Sequence, residues 1–371
     1  MSRQSSTRDH SESTADRTVT IVALAVIALL TLGWLWTIRH AQAAPPAETS
    51  PGELAAGTVA SGLTHAGAPT TSYLTEAALN AAVNRALEKA RGASGKLRIA
   101  IDTTGHGIVP ETLPPGGQLR YSRGGKITTE PEGAGVWSVL LNVGNAIRPA
   151  ANFSLIEMLP FGAKKEGRIG LYYVGTWPSE KGKVGPRRAP AGAYGNPKGF
   201  IEVTEKNADT QVSEHFKLRD FLTHDQPNVW PKYLVLQPKL VDKLELVLTD
   251  LQHHGIDTHG VHVMSGFRTP QYNYTGGNVG GRAGLSRHMY GDASDIFIDS
   301  NGDGQMDDLN HDGKISIDDS RVISAAVDRV DGAHPELVGG AGVYTAGPGH
   351  GPFIHIDTRG YRARWVGTSG G

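Results

Sequence analysis

Two segments far apart in the chain carry residues that bind metals. They are Ser286-Arg287-His288-Met289-Tyr290-Gly291-Asp292-Ala293-Ser294-Asp295 and Phe353-Ile354-His355-Ile356-Asp357. A catalytic zinc takes three protein ligands of imidazole or carboxylate type and keeps a fourth position open for water. His288, Asp295 and His355 make up such a set. Spacing alone leaves the set only suggestive, because the chain holds 15 histidines and a His and an Asp seven apart are mostly incidental in it.

A second metal signature follows directly. Asp299-Ser300-Asn301-Gly302-Asp303-Gly304 and Asp308-Leu309-Asn310-His311-Asp312-Gly313 both read D-x-N-x-D-G. That pattern puts oxygen ligands at positions 1, 3 and 5 and a glycine at 6 for the sharp turn, and Lys314 adds a carbonyl at 7, as in calcium loops. The second copy reaches Asp319 at position 12 and resembles a dockerin-type loop, whereas the first reaches Asn310, a poor bidentate ligand. The copies start nine residues apart and cannot both form full loops. The expectation is one calcium site over 308–319, with Asp299, Asn301 and Asp303 sharing it or lacking an ion. An acidic solvated loop is the competing reading. Ile315, and the apolar spacing of Val322, Ile323, Ala326 and Val327, favour an ordered loop leading into a helix.

The elements that must position these groups are legible in outline. The alternation of Ala293–Ile298 predicts a strand carrying Asp295, and Phe353–Asp357 predicts another carrying His355, with His288 just ahead of the first. Val261–Met264 reads as a strand. Pro238–Leu251 reads as an amphipathic helix with Leu240, Leu244, Val247 and Leu251 on one face. Further back, Leu97–Ile101, Val136–Val143, Phe153–Leu159 and Arg168–Val174 are β-type runs between Gly and Pro clusters. A helix is expected from Thr75 through Leu79, Val83 and Leu87 to Gly92. Residues 72–205 are therefore expected to be a β-rich accessory domain, and 206–371 an α+β metal domain on a small antiparallel sheet. Tyr172, Tyr173 and Trp177 read as core, with a sugar-stacking surface as the alternative. Thr275–Gly281 is glycine-rich without a following Lys-Ser/Thr and reads as a loop beside the cleft. His253, His254, His259 and His262 read as surface and core positions.

Composition removes several classes. The chain has 371 residues, 36 Lys and Arg against 37 Asp and Glu, and no cysteine. Near-zero charge argues against a nucleic-acid binder. Absent cysteine excludes disulfide frameworks, thiolate metal sites and cysteine nucleophiles. Near the N-terminus, Val19–Ile38 is a 20-residue apolar run closed by Trp34, Trp36 and Arg39. At 1.5 Å per residue it spans about 30 Å, enough for a bilayer core. The expected layout is a cytoplasmic tail over 1–18, a transmembrane signal anchor over 19–38 and a flexible linker over 39–71, with the bulk of the chain exported. Cleavage near Ala41-Gln42-Ala43 would make it secreted instead.

Taken together, S-x-H-x-x-G-x-A-x-D and the late F-x-H-x-D, preceded by Ser265-Gly266-Phe267-Arg268-Thr269-Pro270 and Asn273, resemble the zinc D-alanyl-D-alanine peptidase family, which shares its fold with the Hedgehog signalling domain. The likeness covers about residues 213–367, from Phe216-x-Leu218-x-Asp220-Phe221 to Tyr361-Arg362-Ala363-Arg364-Trp365. It implies a Hedgehog/DD-peptidase-like domain with zinc on His288, Asp295 and His355, and a substrate side formed by Ser286 and Arg268. Arg268 would meet a substrate carboxylate or the polarised carbonyl. Some members carry a glutamate shortly before the last histidine; Gly349-His350-Gly351-Pro352 has none, so His350 is the candidate base. Asp357 is the alternative, as base or as the carboxylate orienting a ligand histidine. The implied function is hydrolysis of peptidoglycan stem peptides or cross-links near D-amino acids. The alternative is a wall-binding module that keeps the fold without the reaction.

Overall fold

Residues 98–102, 117–143, 146–276 and 282–367 are described by the computed structural model. The apolar run 19–38, the linker, the helix expected over 75–92 and residues 277–281 of the glycine-rich loop lie outside them. Among the described residues no helix is long and apolar enough to cross a membrane.

The first sheet takes up β1 (Arg98–Asp102), β2 (Gln118–Arg123), β3 (Lys126–Thr128), β4 (Gly135–Val143) and β5 (Ala146–Glu157), in the order β1-β5-β4-β2-β3. Every neighbour is antiparallel. Tyr121, Trp137, Val139, Phe153 and Leu155 form a small cluster of their own beneath it.

The next strands are short: β6 (Leu159–Pro160), β7 (Arg168–Ile169), β8 (Tyr172–Tyr173), β9 (Gly199–Val203) and β10 (Lys232–Leu234). β9 sits between β10 and β6 in a three-stranded antiparallel sheet. The β9–β10 pairing crosses residue 205, where the domain boundary was expected. A single apolar core also runs across that point, joining Trp177, Phe200 and Val203 to Leu240, Leu244, Ile296 and Ile354. The expected accessory domain therefore divides: its first sheet has a separate cluster, while the part from β6 onward belongs to the metal-bearing body. The cause is aromatic. Trp177 packs against Phe161 and Phe200 at 5.6 and 5.8 Å between ring centroids and is fully buried. Tyr172 is buried as well, so the core reading holds for Trp177 and Tyr172, whereas Tyr173 is half-buried beneath the exposed Arg168 and lies outside the core.

The last sheet carries the candidate site. Helix α1 (Pro238–His253) leads through a turn into β11 (Val261–Ser265), and the short helix α2 (Pro270–Thr275) follows. Then come β12 (Ala293–Ile298), α3 (Ile317–Ala333), β13 (Gly340–Tyr344), β14 (Phe353–Asp357) and β15 (Ala363–Gly367). The order is β11-β12-β14-β13-β15, antiparallel throughout except for the parallel β13–β15 pair. Ile296, Ile354, Ile356, Ala341 and Val343 are buried in the same core as Leu240, Leu244, Val247, Leu251, Ile323, Val327 and Val330 of α1 and α3. Alternation along the strands then sends Asp295, His355 and Asp357 to the opposite face.

Candidate metal centre

Asp295 and His355 are cross-strand partners in the β12–β14 register. The same level continues on both sides, with Ser265 opposite Asp295, Gly342 opposite His355 and Trp365 opposite Gly342. One row of partners thus crosses five strands on one face. A one-residue slip would send both ligands into the apolar core, so burial of the other face fixes the register.

His288 reaches the row from outside the sheet, on a 3-10 turn over Arg287–Tyr290. Two contacts hold that turn. The Trp177 indole N–H donates to Met289 O at 2.9 Å, and Arg287 donates through Nε to Asp292 at 3.0 Å. The chain then reverses through Gly291 at φ +69, where a Cβ would stand 2.2 Å from Val235 O, so only glycine fits.

Three donor atoms converge. His288 Nε2 lies 3.2 Å from Asp295 Oδ1 and 3.0 Å from His355 Nδ1, and the last two are 2.8 Å apart. A tetrahedron with metal–ligand bonds of about 2.0–2.1 Å has edges of about 3.3 Å, so one ion fits between them after a small outward shift. The outer ring nitrogens are both occupied. His288 Nδ1 meets Gly266 O at 2.6 Å, and a carbonyl only accepts, so that nitrogen carries the hydrogen. His355 Nε2 donates to Asp357 Oδ2 at 3.0 Å. Both inner nitrogens therefore present lone pairs to one point. His288, Asp295 and His355 form a buried group able to hold a metal ion.

The charges are arranged for the same end. Burial, reinforced by Arg268, lowers the His288 pKa to about 4, so its ring is neutral at pH 7. Burial opposes ionisation of Asp295, but His288 and Arg268 outweigh it and hold the carboxyl well below the usual range. His355 goes the other way: burial lowers it, while Asp295 and Asp357 on either side raise it above the usual imidazole value. A metal ion takes its ligand histidines neutral, so a divalent ion in this pocket competes with protons for His355.

The other expected residues separate into groups. Asp357 is fully buried and accepts from His355, from the Gly340 N–H at 2.8 Å, and from the backbone and guanidinium of Arg359. Its oxygens are saturated, so it orients His355 and is not placed to act as a base. Asp357→Asn should weaken metal affinity about 10–100-fold at unchanged stoichiometry, as read by competition with a chromogenic chelator. Arg268 is at the site, but its guanidinium grips Asp295 Oδ2 at 2.5 Å and Ser265 Oγ at 2.8 Å. It also lines a cavity of about 160 Å³ together with His224 and Arg282. Ser286 is buried ahead of the His288 turn, and its carbonyl accepts the Met289 N–H. His350 is half-buried, bonds Gly351 O at 2.7 Å and packs edge-on against Phe353; it shares no hydrogen bond with the three ligands.

The acidic insert is ordered by its own side chains. Asp299 accepts the N–H groups of Gly302, Asp303 and Gly304, and Asp308 accepts those of Asp312 and Gly313. The side-chain oxygens of Asn301, Asp303, Asn310 and Asp312 take the backbone N–H groups of Asp303, Gln305, Asp312 and Lys314 respectively. Asp319 departs from expectation. It is fully buried and accepts from Leu309, Asn310 and Ser316, closing a capping box at the start of α3. A carboxylate engaged by three N–H groups serves as a helix cap, not as an open bidentate ligand.

Sequence reasoning gave no role to two aromatic residues beside the ligands. Trp365 lies 5.3 Å from His355 between ring centroids, and its indole N–H donates to Tyr344 Oη at 2.9 Å. Tyr344 stacks flat on Phe353 at 4.6 Å. Burial pushes its phenol pKa up, with Asp295 adding to the shift. The signal available in the sequence was the pair of glycines, Gly342 and Gly367, over which these two rings lie. Compared with protein-family models, with curated proteins and with solved structures, the chain finds no match.

Proposed function

We propose that this chain is a zinc peptidase of the D-alanyl-D-alanine peptidase type, with its Hedgehog/DD-peptidase-like sheet and helices over 206–371 packed in one core with the strands from β6 onward. It hydrolyses peptidoglycan stem peptides or their cross-links near D-amino acids. The observation that carries the reading is the convergence of two imidazole lone pairs and one carboxylate oxygen on a single point, with both outer ring nitrogens tied to fixed acceptors. Zinc held there supplies a Lewis acid that lowers the pKa of water and polarises a carbonyl. Arg268 fixes the Asp295 carboxylate and, from the cavity it shares with Arg282, meets a peptide carboxylate. His350, on the approach to β14, takes the proton of the attacking water and delivers it to the leaving amine. The apolar run 19–38 anchors the chain and places this domain outside the membrane, where the substrate lies.

Calcium on the insert is part of the same proposal, with Asp308, Asn310, Asp312 and the Lys314 carbonyl as its ligands and Asp299, Asn301 and Asp303 beside them. Calcium at 100 times its dissociation constant should stabilise the chelator-treated protein by about 2.7 kcal/mol, and Asp312→Ala should abolish most of the rise in melting temperature. An equal rise in the variant would remove calcium from these residues.

A specific observation favours a second reading, a wall-binding module that keeps the fold and the metal. Asp357 is saturated and His350 is not joined to the ligands. Digestion of purified sacculi by the full chain, with products read by mass spectrometry, separates the two. The peptidase reading expects new peptide termini that vanish on chelation and return with zinc. Unchanged sacculi that retain the protein would establish the binding module. Bound iron in place of zinc would overturn the metal assignment.

A further inference from the structure

The strand register puts Tyr344 two residues beyond the partner of His355, on the same face of the sheet, with Trp365 between its hydroxyl and that histidine. Gly342 is the cross-strand partner of His355, and a Cβ on Gly342 would stand 2.1–2.3 Å from Cε2 and Nε1 of Trp365. The indole nitrogen therefore rests on the strand position next to His355, in the space a side chain would fill. Tyr344 Oη lies 2.9 Å from that nitrogen and accepts its hydrogen. The tyrosine is held from two further sides, stacked on Phe353 with 4° between ring planes and laid over Gly367, where a Cβ would be 2.1 Å from Cε1. A hydroxyl that already accepts from an indole has its own hydrogen to give, and among the described residues Tyr344 Oη donates to no acceptor in the chain.

We propose that Tyr344 is a further catalytic residue: its O–H donates to the oxygen of the scissile carbonyl as negative charge develops there, and Trp365 is the positioning residue that aims it. This rests on the peptidase reading. Arg268, the other donor near the ligands, spends Nε on Ser265 and Nη2 on Asp295 and, in the proposed function, the rest of its fork on the peptide carboxylate, which leaves the phenol as a neutral donor on the β13–β15 side. A donor fixed before reaction and aimed at developing charge acts on the transition state more than on bound substrate.

The test compares the full-length wild type with Tyr344→Phe and Trp365→Phe on pentapeptide stems released from sacculi. Two binding probes accompany it, a D-alanyl-D-alanine phosphinate that mimics the tetrahedral state and the uncleaved N-methyl amide. Tyr344→Phe should lower kcat by about 100-fold or more with KM within about twofold. It should weaken the phosphinate by a similar factor while leaving the amide and the metal content unchanged. Trp365→Phe should show a smaller loss of the same kind, and the double variant should be no worse than Tyr344→Phe alone. An active wild type beside Tyr344→Phe with unchanged kcat and phosphinate affinity would overturn the assignment. The same holds if the two variants' effects simply multiply, because then Trp365 does not act through Tyr344. A wild type that neither cleaves the stem nor binds the phosphinate would overturn the peptidase reading and this role with it. Should Tyr344→Phe fail to fold, the Trp365→Phe kcat and phosphinate affinity decide alone.

Discussion

On the peptidase proposal, His288→Ala should leave the chain without stoichiometric zinc and lower peptide hydrolysis by about three orders of magnitude or more. A metal that polarises the carbonyl and activates water contributes several kcal/mol to the transition state, and each 1.36 kcal/mol is tenfold in rate. The two remaining donors, Asp295 and His355, lie 2.8 Å apart, and an ion held by them alone lacks the third protein ligand a catalytic zinc takes. The measurement is metal content together with kcat/KM on the same preparation. Full zinc occupancy in the variant would show that the donor set is wrongly assigned.

The same substitution carries a pH signature in the metal-free protein. The His288 pKa falls from 6.5 unfolded to about 4 folded, because burial and Arg268 disfavour its charged form. The unfolded chain then binds a proton that the folded one refuses, so stability is present above pH 6.5 and is lost as pH falls through about 4. A shift of that size corresponds to about 3 kcal/mol. His355 has the opposite sign: with a raised folded pKa, its contribution is present below 6.5 and lost as pH rises through the folded value. Chelated wild type should therefore lose more stability between pH 6.5 and 4 than chelated His288→Ala. Parallel denaturation curves over that window would count against a neutral, buried His288.

The strands that carry Asp295 and His355 were legible because alternation is a local property, whereas grouping them with His288 took the family resemblance. Ala293–Ile298 and Phe353–Asp357 read as strands from the chain alone, and the structure pairs them with Asp295 opposite His355. What was not legible depends on neighbours distant in sequence. Trp177 reads as a core aromatic from the chain alone, but its partner does not: its indole donates to the Met289 carbonyl, 112 residues away, and that is what ties the strands from β6 onward to the metal-bearing body. Asp319 fits the twelfth position of a calcium loop by count, yet helix α3 begins two residues earlier and takes that carboxylate as a cap. Arg268 matched a substrate-side role, but its first partner is the ligand Asp295. Tyr344 and Trp365 meet only because β15 runs parallel to β13, a pairing that no hairpin signal announces.

Lys243 is the clearest case of a residue that pattern reading passes over, and its removal should give the largest loss of stability. On α1 it would be counted as a polar position, yet its side chain is fully buried. Its ammonium donates to Leu337 O at 3.1 Å and Asp357 O at 3.0 Å. It also pairs with Asp331 Oδ1 at 2.6 Å, a close buried ion pair. Burial lowers the lysine pKa, and Asp331 opposes that shift. Lys243→Met keeps the volume but strands two buried carbonyls and leaves Asp331 with Arg364 alone. Breaking one side of a buried pair costs about 3–5 kcal/mol, far more than exposed lysines contribute. Denaturant midpoints on chelated protein measure it without interference from metal. Adding Asp331→Leu should recover part of the loss, because Arg364 retains Asp328 at 2.7 Å and no carboxylate then stays half-paired in the core. The carbonyl of Asp357 remains without its donor in both variants, so metal affinity should stay reduced even where stability returns. A single variant within about 1 kcal/mol of wild type would mean that the ammonium contributes little beyond filling space, and that β14 is held in place by its strand pairing alone.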